Sequence, residues 1–323
     1  TSTALSVLAM RSLGCSNIDY LVPNRFEDGY GLSPEVVDQA HARGAQLIVT
    51  VDNGISSHAG VEHARSLGIP VIVTDHHLPG DTLPAAEAII NPNLRDCNFP
   101  SKSLAGVGVA FYLMLALRTF LRDQGWFDER GIAIPNLAEL LDLVALGTVA
   151  DVVPLDANNR ILTWQGMSRI RAGKCRPGIK ALLEVANRDP QKLAASDLGF
   201  ALGPRLNAAG RLDDMSVGVA LLLCDNIGEA RVLANELDAL NQTRKEIEQG
   251  MQVEALTLCE KLERSRDTLP GGLAMYHPEW HQGVVGILAS RIKERFHRPV
   301  IAFAPAGDGT LKGSGRSIQG LHM

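Results

Sequence analysis

The sequence predicts an α/β protein: a parallel-sheet domain with a helical insert, a long connecting helix, and a smaller α/β domain at the C-terminal end. Three observations predict it. Residues 47–51 and 70–74 are short Val- and Ile-rich runs without polar alternation, separated by a helical segment. Strands of a parallel sheet buried on both faces read this way. From 227 to 265, charged and apolar residues recur at helical spacing without a break, as in a helix that joins two domains. Beyond 266 strand-like runs again flank a helical one. The expected division is therefore 1–226, 227–265 and 266–323.

Composition supports this division. The chain has 323 residues, 46% hydrophobic and 21% charged, enough for two domains with cores of their own. No apolar run reaches the ~18 residues of a membrane span and no signal peptide is visible, so no membrane partner is expected. The cysteines at 15, 97, 175, 224 and 259 are scattered, with no CxxC pair. That pattern argues against a zinc ribbon or disulfide framework and for the reducing cytoplasm. The formal net charge of −5 means that a nucleic-acid partner would need a local basic surface. The chain starts at Thr1 inside a helix-like pattern and stops just after a glycine-rich turn, so it is expected to be a fragment.

In chain order, residues 1–13 read as a helix with Gly14 beyond its end, and 17–22 as a strand followed by the loop NRFEDGYG at 24–31. Ser33-Pro34 opens a helix closed by Gly44. After strand 47–51, Ser56 or Ser57 can cap a helix that Gly68 ends, and strand 70–74 follows. Residues 88–90 form a further short strand before the loop NPNLRDCNFPSKS. Helices are then expected at 104–122, 136–148, 158–170 and 178–188. In the last part 272–276 and 300–303 are strands around a helix at 284–296.

Two strands end in acid: Asp52 in VDNG and Asp75 in TDHH, the latter followed by His76 and His77. Open α/β sheets place ligands at the carboxyl ends of their strands, so all four side chains should converge on one crevice. Either aspartate alone reads most simply as a turn cap. Two such acids with a histidine pair at one sheet edge point instead to a divalent cation. Asp151, in the apolar setting GTVADVVP, is a third candidate, because a carboxylate there is costly unless it is paired or bound.

Between 157 and 183 lie Arg160, Arg169, Arg171, Lys174, Arg176 and Lys180 and no acid. This is either a solvated face or a phosphate contact. The stretch GPRLNAAGRL, 203–212, offers Arg205, Asn207 and Arg211 between small residues, as an anion-binding loop would. His277 and His281 sit in a Pro-containing loop, which speaks against a metal there. The turn bearing Lys312, Gly313, Ser314, Gly315, Arg316 and Ser317 reads as an anion nest.

With VDNG, TDHH, GTVADVVP, GPRLNAAGRL and GSGRS in this order, the chain resembles the RecJ-type single-strand-specific DNA exonucleases of the DHH phosphoesterase superfamily. The resemblance covers essentially the whole chain. It implies a catalytic DHH domain and a DHH-associated domain, with a narrow groove for a single strand between them. It also implies Mg²⁺ or Mn²⁺, as two ions in the complete enzyme, and 5′-to-3′ release of mononucleotides in DNA repair and recombination. Single-stranded DNA is the implied substrate, with a single-strand-binding protein and a helicase as further partners. By the same resemblance Asp52, His76 and Asp151 are metal ligands, Asp75 supports the site, and His77 faces the scissile phosphate. Arg205, Asn207 and Arg211 would contact phosphate, joined by Arg169, Arg171 and Lys174 of the basic run. His281 and the turn 313–317 would form the substrate-binding edge of the second domain. The family's upstream Asp-x-Asp-x-Asp-Gly strand is not in this sequence, and the chain on its own is expected to be inactive. Two other readings stay open: a DHH hydrolase of small substrates (a nanoRNase, a cyclic-dinucleotide phosphodiesterase or a phosphatase of adenosine bisphosphate), and a non-catalytic replication or repair scaffold on the same fold.

Overall fold

The computed structural model describes residues 1–23, 31–266, 269–307 and 309–323, so all but the last residue of the loop expected at 24–31 lies outside the described residues. The chain divides into two compact units, Thr1–Gly210 with Asp214–Asp238, and Arg211–Asp213 with Ala239–Met323.

The first unit is organised by a parallel sheet in the order β1 (Ile48–Val51), β2 (Val71–Thr74), β3 (Ala88–Ile90). Val51 pairs with Thr74, which puts the next residues, Asp52 and Asp75, at the same level. The expected β-α-β unit is therefore present. β2 is largely buried, whereas β1 is mostly half-exposed because, among the described residues, it has a neighbour on one side only. Helices α1 (Ser2–Ser12), α2 (Pro34–Ala42) and α3 (His58–Ser66) precede and separate these strands. Val36, Val37, Val61 and Ala64 of α2 and α3 pack on Val71 and Val73 of β2. Ser33 caps α2 through Val36 N–H, as its sequence predicts. Ser57 precedes α3 but turns its hydroxyl to Leu32 N–H instead.

The rest of the unit is helical: α4 (Gly106–Asp123), α5 (Trp126–Arg130), α6 (Leu141–Ala150), α7 (Ala157–Arg171), α8 (Pro177–Val185), α9 (Ala195–Asp197), α10 (Gly203–Leu212), α11 (Ser216–Leu223) and the start of α12 (Ile227–Arg266). α6 is mostly apolar and, with Asp142 included, most of it is buried, and α7 crosses it so closely that a Cβ at Gly166 would meet Leu141 O at 2.0 Å. Among the described residues no helix is long and apolar enough to cross a membrane.

The second unit contains the remainder of α12, α13 (Val285–Phe296) and a sheet of β4 (Leu273–Tyr276), β5 (Val300–Pro305) and β6 (Leu311–Arg316). β4 and β5 are parallel, and β6 runs antiparallel to β5. Leu288, Ala289 and Ile292 of α13 pack with Val300 and Ala302 of β5 and with Met251, Ala255 and Cys259 of α12.

Three local expectations are corrected. Residues 17–22 form no strand: Asp19 is drawn to Arg43, which also donates to Tyr20 O, so this segment is held by side chains rather than by a ladder. Residues 203–212 are a helix, because Leu206, Ala208, Ala209 and Gly210 give the segment a buried face that outweighs its glycines. The GSGRS segment is not a turn but most of β6. Neither Gly313 nor Gly315 has a positive φ, and Gly313 leaves the room that the Phe303 ring fills across the ladder.

Candidate metal centre

The sheet delivers its acids at one edge. Asp52 N–H donates to Thr74 O at 2.9 Å and Asp75 N–H to Ile90 O at 3.1 Å, so each carboxylate leaves the last rung of its ladder. Beyond that rung they part. Asp52 turns into the left-handed region at φ 63°, a conformation Asp tolerates better than most residues. Its carboxylate Oδ1 lies 3.0 Å from His76 Nε2, which is also 3.4 Å from Asp151 Oδ2. Asp151 is the C-cap of α6, so the third side chain comes from a helix end rather than from the sheet. The structure thus brings Asp52, His76 and Asp151 together. A ring nitrogen of His77 joins Asp52 and His76, their donor atoms lying within 4.8 Å of one another.

Asp75 does something different. It is buried, and its oxygens accept from the N–H groups of Ile55 (2.9 Å), His76 (2.7 Å) and His77 (3.2 Å) and from His77 Nδ1 (2.7 Å). Burial opposes its charge, but these hydrogen bonds outweigh burial and hold the carboxyl below its usual range. Asp75 therefore braces the two histidines. The contact to Nδ1 fixes the His77 proton there and leaves Nε2 facing outward as an acceptor.

The cluster is acidic and only partly satisfied. Asp52 Oδ1 and His76 Nε2 are both buried and lie 3.0 Å apart, and among the described residues neither has a hydrogen bond to any other group. Burial pushes the Asp151 carboxyl up, and the charge of Asp52 pushes it further. Burial lowers His76, but Asp52, Asp151 and Asp75 together raise it above its ordinary value. The Asp151 carboxyl and the His76 imidazole, both raised and set against the Asp52 carboxylate, suit a divalent cation, which would take the protons' place.

Sequence reasoning missed two side chains. Asn91 Nδ2 donates to His77 O at 2.8 Å and Asn93 Nδ2 to His76 O at 2.6 Å, so the loop after β3 grips the backbone of both histidines. The signal was the Asn-Pro-Asn that directly follows the strand. A strained residue was missed as well. Val152, next to Asp151, has φ 62° and is 85% exposed. A β-branched side chain in that region costs about 1–2 kcal/mol, whereas glycine loses roughly 0.5–1 kcal/mol in backbone entropy. Val152→Gly should therefore stabilise the protein by about 0.5–1 kcal/mol, since no packing is lost. The midpoint of urea unfolding measures this, and a lower midpoint would contradict the strain argument.

The predicted phosphate contacts fall in several places. Arg169 is half-buried with Nε unpartnered, and Lys174 is exposed. Arg171 holds Leu193 O through Nε at 2.9 Å. Arg160 holds Leu155 O at 2.8 Å, and Arg176 turns inward to the buried Asp142. Arg205 is paired to Asp238 at 2.8 Å, while Asn207 on the same helix is exposed. In the second unit Arg211 Nη1 donates to Gly283 O at 3.1 Å, and Gly283 N–H donates to His281 Nδ1 at 3.1 Å. Burial lowers the His281 imidazole from its ordinary value. Gly286, in the first turn of α13, faces Ser314 and Arg316; Arg316 bonds Ser290 Oγ and Ser314 Oγ, and Ser317 follows. Arg211, His281, Ser314 and Arg316 are thus gathered around the start of α13.

A family model described as the DHH family, N-terminal domain, matches residues 1–148, and one described as the DHHA1 domain matches residues 270–323. The chain is 99% identical over 323 residues to the single-stranded-DNA-specific exonuclease RecJ of Escherichia coli K12, of which it spans 56%. It is 38% identical to the protein of the same description from Bacillus subtilis, of which it spans 38%. Among solved structures it is similar to exonuclease RecJ bound to manganese, with a TM-score of 0.79 and 35% identity over 99% of this chain and 75% of that one. RecJ from Thermus thermophilus in complex with Mn²⁺ gives 0.78 and 34%, over 99% of this chain and 43% of that one.

Proposed function

The chain belongs to the RecJ family of DHH proteins, and we propose that it carries the metal-dependent hydrolysis by which single-stranded DNA is degraded from its 5′ end to mononucleotides. One observation carries the reading: Asp52 Oδ1 and His76 Nε2, buried and 3.0 Å apart, converge with Asp151 at the edge of a parallel sheet. Asp52, His76 and Asp151 would hold Mn²⁺ or Mg²⁺, the ions present in RecJ structures similar to this one. A bound ion supplies polarisation of a phosphoryl oxygen and neutralises the charge that builds in the transition state.

The chain's own residues do the rest. Asp75 fixes the tautomer and direction of His77, so that its outward Nε2 can take a proton from water. Asn91 and Asn93 keep both imidazoles from drifting. Within the first unit the exposed Lys174 and Asn207, and within the second Arg316 with Ser314, are the side chains proposed to meet phosphates. The same reading puts the protein in the cytoplasm, with a single-strand-binding protein and a helicase as partners in repair and recombination. A dinucleotide hydrolase would share the metal centre, but it has less use for the cations of α7 and the segment after it.

The test is cleavage, by a protein of the full length of the relatives matched, of single strands labelled at either end, with Mn²⁺, beside dinucleotides at equal concentration. Mononucleotide release from the 5′ label first, with slow turnover of dinucleotides, is the expected outcome. Preferential hydrolysis of the dinucleotides would favour the competing reading.

A further inference from the structure

We infer that Gly106 is a positioning residue for the Asp52 carboxylate, its missing side chain being what lets that carboxylate present Oδ1 to a divalent cation. The inference rests on the metal reading above. A Cβ built on Gly106 would lie 2.2 Å from Asp52 Oδ1, 2.5 Å from its Cγ and 2.7 Å from its Cβ. Favourable carbon contacts begin near ~3.5 Å, so the side chain and the added methyl cannot occupy their places together.

Neither backbone can step aside. Asp52 N–H is tied to Thr74 O, and the next turn is closed by Thr50 Oγ1 on Asn53 O at 2.7 Å and by Asn53 Nδ2 on Val51 O at 3.0 Å. Gly106 opens the 18-residue helix α4 between the buried Ala105 and Val107. The remaining freedom is rotation of the Asp52 side chain, which takes Oδ1 away from His76 and Asp151.

Other reasons for a glycine are lacking here. Its φ is not positive, so the backbone conformation is open to any residue. Within the first turn of a helix glycine is a poorer former than alanine. All three atoms nearest to the added Cβ belong to Asp52, whereas at Gly108 they belong to Leu104. Ala105 offers no side-chain cap, so the carboxylate also sits against the positive end of the α4 dipole. Glycine at 106 therefore lets the acid approach that helix end and still point at its neighbours.

The experiment compares the full chain with Gly106→Ala, each also in an Asp52→Gly background. Mn²⁺ affinity is titrated directly by calorimetry, and the thermal midpoint is read in EDTA. Gly106→Ala should weaken Mn²⁺ binding by about tenfold or more, the range seen when the groups that orient a ligand are changed. In the Asp52→Gly background the same substitution should raise the thermal midpoint, because only its helix-forming gain remains. Unchanged Mn²⁺ affinity in Gly106→Ala overturns the inference. So does a midpoint that falls equally in both backgrounds, which would make Gly106 a packing residue. If Gly106→Ala folds only when Asp52 is Gly, the inference stands; if it folds in neither, it falls. No Mn²⁺ binding by the unsubstituted chain would instead overturn the metal reading itself.

Discussion

In a protein of the full length of the relatives matched, Asp52→Asn is expected to lower the rate of single-strand cleavage by about 10³-fold at saturating Mn²⁺ while leaving the fold intact. The asparagine is nearly the same size and accepts the left-handed φ of 63° at this position as readily as aspartate does. What it removes is the charge on an atom that lies 3.0 Å from His76 Nε2 and has no other use in the fold. A metal ion contributes several kcal/mol to a phosphoryl transition state, and each ~1.4 kcal/mol is a factor of ten. Stability should change by less than ~1 kcal/mol, or rise, because the Asp52 charge pushes up the carboxyl of Asp151. Chelation with EDTA should mimic the substitution in rate. Turnover by Asp52→Asn within a few-fold of the unsubstituted enzyme at ordinary Mn²⁺ would remove Asp52 from the metal set.

Much of this site was legible because it sits where the sheet stops. Two Val/Ile runs ending in acid, with a helix between them, bring Asp52 and His76 to one edge in any parallel arrangement. Asp151 was visible only as an acid out of place, since nothing local says which helix end α6 turns toward the sheet. The split between Asp52, which turns to His76 and Asp151, and Asp75, which faces its own backbone, was implied by the family resemblance but not legible from the residues themselves. It depends on one left-handed residue and on N–H groups from Ile55 to His77. The long helix could be read because charge and apolar spacing persist over its length. Residues 203–212 could not, because local glycine content favours a loop while the burial that makes them helical comes from partners far along the chain. The GSGRS segment misled for a similar reason: Gly313 makes room for Phe303 across the ladder rather than allowing a turn.

The basic run shows the same limit and yields the second large effect. Asp142→Ala is expected to destabilise the first unit by about 3–5 kcal/mol, the usual cost of breaking a buried ion pair from one side. Asp142 is 1% exposed, and Arg176 reaches it through Nε at 3.2 Å while donating its backbone N–H at 3.0 Å. Leu143 N–H also donates to this carboxylate, at 2.8 Å. Removing the acid strands a guanidinium whose remaining hydrogen bond, among the described residues, is a 3.4 Å one to Leu222 O. Replacing both partners should behave differently. Asp142→Leu combined with Arg176→Met fills the space with apolar groups and should recover most of the loss, since such pairs are often near neutral against hydrophobic substitutes. Urea unfolding of the three proteins measures the effect, and a loss under ~1 kcal/mol for Asp142→Ala would show that solvent reaches the pair. The double variant also separates structure from function within the basic run. Arg176 spends its charge inside the fold, so the slope of log affinity for single-stranded DNA against log salt should be the same with and without the pair. Removing the exposed Lys174 should instead flatten that slope by up to ~0.7, one phosphate contact on a single strand. A flattening of that size in the double variant would mean that Arg176 also reaches the strand.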